Sequence, residues 1–248
     1  MRRNILITGA SSGLGAGMAR EFAARGRNLA LCARRIERLE SLRDELRAAH
    51  PQVRVEVRPL DVNDHEQVFH VFRAFRDDFG SLDRVVVNAG LGKGAPLGTG
   101  YFYANQQTAM TNFVAALAQC EAALEIFRAQ NAGHLVTISS VSAMRGLRGP
   151  LTTYAATKAG LAALTEGIRA DLLGTPIVVS TMFPGYIRSE MNERVKHAPF
   201  MIDTDVGVRA LVRAIEAEKS HAFVPAWPWS AIAFLMKRLP LRAVTKLF

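Results

Sequence analysis

Cysteine is scarce in this 248-residue chain: Cys32 and Cys120 stand alone, with no CxxC spacing. That scarcity argues against a disulfide framework and a cysteine-based zinc site, and it fits a reducing compartment. No run approaches the roughly 18 apolar residues of a membrane span. The start, "MRRNILITGASSG", has basic residues but only three apolar ones, Ile5 to Ile7, before Thr8 and Gly9, too few for the apolar region of a signal peptide. A cytoplasmic protein is the expectation. Low-complexity linkers and internal repeats are also missing, so one domain is expected, with 1–225 as its body and 226–248 as an apolar and basic extension of it.

Hydrophobic residues make up 49% of the chain and charged residues 21%, enough apolar content for a sizeable core and far from the pattern of disorder. The formal net charge of +9 would suit nucleic acid, an anionic membrane surface or an anionic cofactor. In "RRIERLESLRDELR", however, acidic and basic residues alternate, which describes a salt-bridged helix face rather than a stripe that tracks phosphates. No nucleic-acid partner is expected.

Short apolar runs alternate with longer amphipathic segments. "NILITG", "NLALCA", "VRVEVRPLD", "DRVVVNAG", "GHLVTISS" and "IVVSTMFPG" read as strands, and "HAFVP" at 221–225 supplies one more. Between them lie helices through "GLGAGMAREFAARG" and "IERLESLRDELRAA" and near 64–79, 100–130 and 152–173. Parallel strands need helix-length crossovers, so the alternation predicts an α/β fold, a parallel sheet with helices on both faces.

"ITGASSGLG" sets Gly9, Gly13 and Gly15 between a buried strand and a helix. There, missing side chains let the turn tighten and let backbone approach a pyrophosphate at the helix N-terminus. The spacing is Gly-x-x-x-Gly-x-Gly. Together with "NAG" at 88–90, Asn112, "ISS" ending at Ser140, "YAATK" at 154–158 and "PG" at 184–185, it resembles the short-chain dehydrogenase/reductase family over about residues 4–190. The resemblance implies a Rossmann-like doubly wound sheet and a nicotinamide cofactor. It also implies a carbonyl or alcohol as the small-molecule substrate, and a homodimer or homotetramer with the helices near 100–130 and 152–173 at its interface.

Tyr154 and Lys158 are four positions apart on one predicted helix, so they share a face. A tyrosine of ordinary pKa about 10 carries protons poorly at neutral pH, and a neighbouring ammonium lowers that value. By resemblance Tyr154 is the general acid and base, Lys158 also holds the nicotinamide ribose, Ser140 stabilises the reacting oxygen, and Asn112 anchors a water chain behind Lys158. Ser140 lies fourteen positions before Tyr154, one more than the commonest family spacing, which leaves Ser142 as an alternative; Ser140 is preferred because it ends the strand-like "LVTIS". The resemblance also implies cofactor contacts at Ser11, Ser12, Leu14, Asp61, Val62, Asn88, Ala89, Gly90, Pro184, Gly185, Ile187 and Ser189. Ser189 stands where threonine is usual, and Asp61 reads equally as a helix cap or turn residue.

At the end of the second strand the family's acidic position is Ala33, followed by Arg34 and Arg35. An acid there would bind the ribose hydroxyls and repel a 2′-phosphate; alanine removes the repulsion and a guanidinium suits the phosphate. NADP(H) is therefore the expected cofactor and Arg34 the first choice of phosphate ligand, with Arg35 reinforcing it or starting a charged helix. Leu91, Met144, Leu147, Tyr186 and Met191 are candidates for an apolar substrate pocket, or for core; they do not separate a fatty-acyl ketone from a steroid-like ketone, a sugar or an aldehyde. Reduction is the favoured direction, and a non-catalytic NADP(H)-binding sensor is the alternative. After Glu218 no acidic residue occurs, while "WPWSAIAFLMKRLPLRAVTKLF" combines two tryptophans with Lys237, Arg238, Arg242 and Lys246. That mix suits a membrane surface, a subunit contact or a pocket cover. Pro228 and Pro240 interrupt a long helix and favour the last two.

Overall fold

The computed structural model describes residues 2–190 and 199–247. Seven parallel strands form one sheet: β1 (Asn4–Thr8), β2 (Asn28–Ala33), β3 (Val55–Pro59), β4 (Arg84–Val87), β5 (Gly133–Ile138), β6 (Ile177–Pro184) and β7 (His221–Val224), in the order β3-β2-β1-β4-β5-β6-β7. The chain winds outward from β1 in both directions, so the seam between β1 and β4 is the point where the strand order reverses, and the carboxyl ends of those strands open a crevice. This is the doubly wound sheet that the alternation predicts.

Side chains alternate across each strand and feed two cores. Ile5, Ile7, Leu29 and Leu31 face α1 (Gly13–Ala24), α2 (Ile36–Ala49) and α7 (Thr204–Glu216); Leu6, Ala30 and Cys32 face the side of α3 (His65–Phe79), α5 (Ala115–Gln130) and α6 (Leu151–Asp171). Cys32 and Cys120 both lie free in this second core, and burial pushes the Cys120 thiol up to about 12. Such thiols are inert fillers. The helix predicted over 100–130 is interrupted: α4 (Phe102–Ala109) runs into one π-helical turn at Met110–Val114 before α5. The break holds Asn112, and π turns of this kind concentrate at functional sites.

The last residues form α8 (Ala226–Arg238) and α9 (Leu241–Leu247), with Pro240 between them and non-helical backbone at Trp227. Trp229, Ala233 and Met236 are buried, whereas Trp227, Phe234 and Leu235 are exposed. No helix among the described residues is long and apolar enough to cross a membrane. At the amino ends of the strands, away from the crevice, Arg84 is buried and donates from Nε to His134 Nδ1 at 2.8 Å and from Nη1 to Glu216 Oε1 at 2.9 Å. Because Nδ1 accepts, the ring proton lies on Nε2, which donates to Ser180 Oγ at 2.8 Å.

Candidate active site

A cavity of about 340 Å³ opens at the carboxyl ends of β1 and β4. The glycine loop forms its floor. Gly9 has φ +65°, and a Cβ there would meet Ala89 Cα at 2.9 Å; a Cβ on Gly15 would lie 2.3 Å from the Gly9 carbonyl oxygen. Both positions need glycine, one for its left-handed backbone and both for the close packing. Ser12 precedes α1 without a side-chain cap, and the first turn of α1 carries no acidic residue, so no side chain of the helix itself neutralises its N-terminus beside the cavity. Thr8, which the sequence reading passed over, locks this floor to β4: its Oγ1 accepts the N–H groups of Asn88 and Ala89 at 3.0 and 3.1 Å. Asn88 Nδ2 returns a hydrogen bond to the Thr8 carbonyl at 2.9 Å.

Ser140 lies two residues past β5 and caps a short 3-10 turn, Val141–Met144, accepting the Ser142 N–H at 3.1 Å. It also neighbours Tyr154 and opposes the rise in the phenol's pKa, and both side chains line the cavity. Of the two serines considered, Ser140 therefore meets the tyrosine, although Ser142 also lines the cavity. Lys158, one turn after Tyr154, is buried, donates to the Ile138 carbonyl at 2.8 Å and lies 5.9 Å from the centre of the Tyr154 ring. Burial lowers its pKa to about 8. Burial raises the Tyr154 pKa, with Ser140 opposing the rise and Tyr186 adding to it. Lys158 spends a donor on a backbone carbonyl and sits over the Tyr154 ring.

Asn112 lies behind Lys158 and Gly90, where a Cβ on Gly90 would be 3.1 Å from Asn112 Oδ1 and 3.6 Å from Lys158 Nζ. Its amide accepts the Leu91 N–H at 2.7 Å and donates to the Leu91 carbonyl at 2.8 Å, which pins the segment after β4. Gly13, Leu14, Asp61, Val62, Ala89, Leu91, Pro184, Tyr186, Ile187 and Ser189 line the cavity too. Asp61 is not a helix cap; it accepts from Asn63, and Asp64 caps α3. Met144 and Leu147 stand apart from the cavity wall, packed with Ile232 and Met236 of α8. Met191 lies outside the described residues. The segment read as a subunit contact or pocket cover forms α8, where Trp229 stacks edge-on against Tyr186 at 5.7 Å and fills the space where a side chain on Gly185 would be.

Arg34 and Arg35 both reach the rim beside Ala33. Arg34 is exposed, and its guanidinium makes no hydrogen bond or ion pair among the described residues. Arg35 instead turns to the glycine loop and donates to Ser11 Oγ at 3.2 Å and Ser12 Oγ at 2.7 Å. On its outer side lies a second, open cleft of about 980 Å³ bounded by α1, α2 and α7.

A doubly wound sheet with a glycine loop at its reversal and a serine-tyrosine pair above it defines a class of nucleotide-dependent oxidoreductases. The chain belongs to the short chain dehydrogenase family, whose model matches residues 3–199. It is 53% identical to an uncharacterized oxidoreductase of Mycobacterium tuberculosis over 97% of this chain and 95% of that one. Among solved structures it resembles a short-chain dehydrogenase from Sphingobium yanoikuyae in complex with NADPH (TM-score 0.82, 26% identity, 96% and 97% of the two chains). It also resembles a short chain dehydrogenase/reductase from Burkholderia phymatum in complex with NAD (TM-score 0.84, 23% identity, 94% and 92%). The chain is an oxidoreductase of this family.

Proposed function

We propose that this oxidoreductase uses NADP(H) to interconvert a carbonyl, ketone or aldehyde, and the corresponding alcohol, with an apolar or lipid-like substrate and with reduction as the main direction. The observation that carries the reading is the convergence of Ser140, Tyr154 and Lys158 on the wall of a cavity floored by the glycine loop. The residues present fit a dinucleotide: glycines that a Cβ would obstruct, an α1 N-terminus without an acid, and Ala33 followed by two arginines. Ser11, Ser12 and Gly13 would hold the pyrophosphate, Asp61 and Val62 the adenine, Asn88 to Gly90 and Lys158 the ribose and ring, and Ile187 and Ser189 the amide. Of the arginines, Arg35 is the stronger phosphate ligand, because its fork already engages the loop hydroxyls.

When bound, NADP(H) supplies or takes up the hydride. Tyr154 holds a proton on Oη at neutral pH, since its pKa is raised, and gives it to the oxygen of a carbonyl. Ser140 orients that oxygen and the phenol together. Asn112 supports the segment after β4, and Lys158 is held to the end of β5 beside it. Leu91, Val141, Leu151 and Tyr186 give part of the cavity wall an apolar character, which supports an apolar substrate. The exposed Tyr101, Phe102, Tyr103, Met110 and Leu117 support a subunit contact along α4 and α5.

The test is consumption of NADPH and NADH in parallel over a panel of apolar ketones and aldehydes. Tyr154→Phe should bind NADPH as wild type does and lose turnover by roughly 10²–10⁴-fold. NADPH binding without turnover by either protein would replace this reading with that of a sensor.

A further inference from the structure

Glu190 completes the cluster that Arg35 begins. Its Oε2 accepts from Nη1 and Nη2 of Arg35, each at 3.3 Å, and its Oε1 accepts from Arg38 Nη1 at 2.6 Å. The other edge of the Arg35 fork is on Ser11 and Ser12. A carboxylate from the segment after β6 thus meets two guanidinium groups from the start of α2, beside the hydroxyls of the glycine loop. Glu190 lines both the cofactor cavity and the outer cleft.

Charge decides what this arrangement does. Two cations face one anion, and Arg34 on the same rim adds a third cation. Of the other arginines on the outer cleft, Arg20 is matched by Glu45 at 2.7 Å and Arg188 by Asp203 at 3.4 Å. Arg35, Arg38 and Glu190 are each about half exposed, at 43, 51 and 48%, so their pairing is screened by water and readily exchanged. A phosphate monoester brings up to two charges and three acceptor oxygens, against one charge and two oxygens for a carboxylate, and matches the same guanidinium fork.

We propose that Glu190 is a built-in competitor for the adenosine 2′-phosphate: it holds the face of Arg35 that the phosphate needs, must yield it when NADP(H) binds, and so limits the preference for NADP(H) over NAD(H). The inference rests on the NADP(H) reading above. It assigns to a residue 155 positions from Arg35 a part in cofactor selection.

Isothermal titration calorimetry on the full chain tests it, with NADPH, NADH, adenosine 2′,5′-bisphosphate and AMP as probes. Glu190→Gln keeps the shape and removes the charge; it should tighten NADPH and the bisphosphate about three- to tenfold, with NADH and AMP unchanged within about twofold. Glu190→Ala should act in the same direction, because charge rather than bulk is at issue. In an Arg35→Ala background the Glu190→Gln gain should shrink to less than about twofold, since the contested fork is gone. If wild type prefers NADPH and Arg35→Ala abolishes that preference, but Glu190→Gln leaves NADPH affinity unchanged or weaker, the competitor role is overturned and the NADP(H) reading stands. Equal wild-type affinity for NADPH and NADH, untouched by Arg35→Ala, overturns both.

Discussion

Arg34 and Arg35 are neighbours of one type, yet they enter different surroundings, because both lie in the turn between the end of β2 and the start of α2. The backbone turn sends Arg34 outward and folds Arg35 back onto Ser11 and Ser12. Composition at this point was legible and named both residues; direction was not, since it depends on a loop more than twenty positions earlier. We predict that Arg35→Ala weakens NADPH relative to NADH by about tenfold or more, and Arg34→Ala by less than about threefold, as read from quenching of protein fluorescence. Ser140, Tyr154 and Lys158 were readable because motif spacing puts them on a strand end and one helix face. The consequence of burial was not: Tyr154 is held as an acid by its surroundings, and Lys158 reaches a carbonyl of β5 rather than the phenol oxygen. Asn112 was recognisable as a site residue, but its double hydrogen bond to Leu91 depends on a partner 21 positions away.

Among the elements, α8 shows most plainly how a segment changes meaning once it is folded. Its tryptophans and one-sided charge drew attention in the sequence, and its prolines argued for packing over a membrane surface. In the structure the inner face carries Trp229 onto Gly185 and Tyr186, so the helix backs two residues of the cavity wall. Gly185 was read as a cofactor residue; it also has a packing reason to lack a side chain, because a Cβ would stand 2.1 Å from Trp229 Nε1. Gly185→Ala should therefore overpack this contact and cost about 1–3 kcal/mol, visible as a lowered Tm in calorimetry. Adding Trp229→Phe, which makes room, should recover part of the loss. A Tm unchanged by Gly185→Ala would mean that α8 is not seated on the loop.

At the scale of the whole molecule, the order of strands and helices was legible because parallel crossovers impose their own rhythm on the chain. The charged network beneath the sheet was not, since Arg84 finds His134 and Glu216 at separations of 50 and 132 residues. That network carries a pH signature. Burial, and then the nearby Arg84, push the His134 pKa down to about 2 from an ordinary 6.5, so the folded state keeps the ring neutral where the unfolded chain takes up a proton. The stability contributed by the neutral ring is complete above pH 6.5 and falls as pH drops toward 2, by at most about 1.4 kcal/mol per pH unit. Urea denaturation at pH 7.5, 6.0 and 5.0 should show this acid-side loss in wild type and a flatter profile in His134→Gln, even though that variant starts from a lower stability.

The hydroxyl of Thr8 gives the site a divided construction. It ties the β4 strand end to the glycine loop through Asn88 and Ala89, while the Arg35 rim is fastened separately to Ser11 and Ser12. Cofactor choice and proton chemistry thus hang on independent fixings. A redesign that exchanges one nicotinamide dinucleotide for the other needs to alter only the rim formed by Arg34, Arg35 and Glu190, leaving the tyrosine and its neighbours in register.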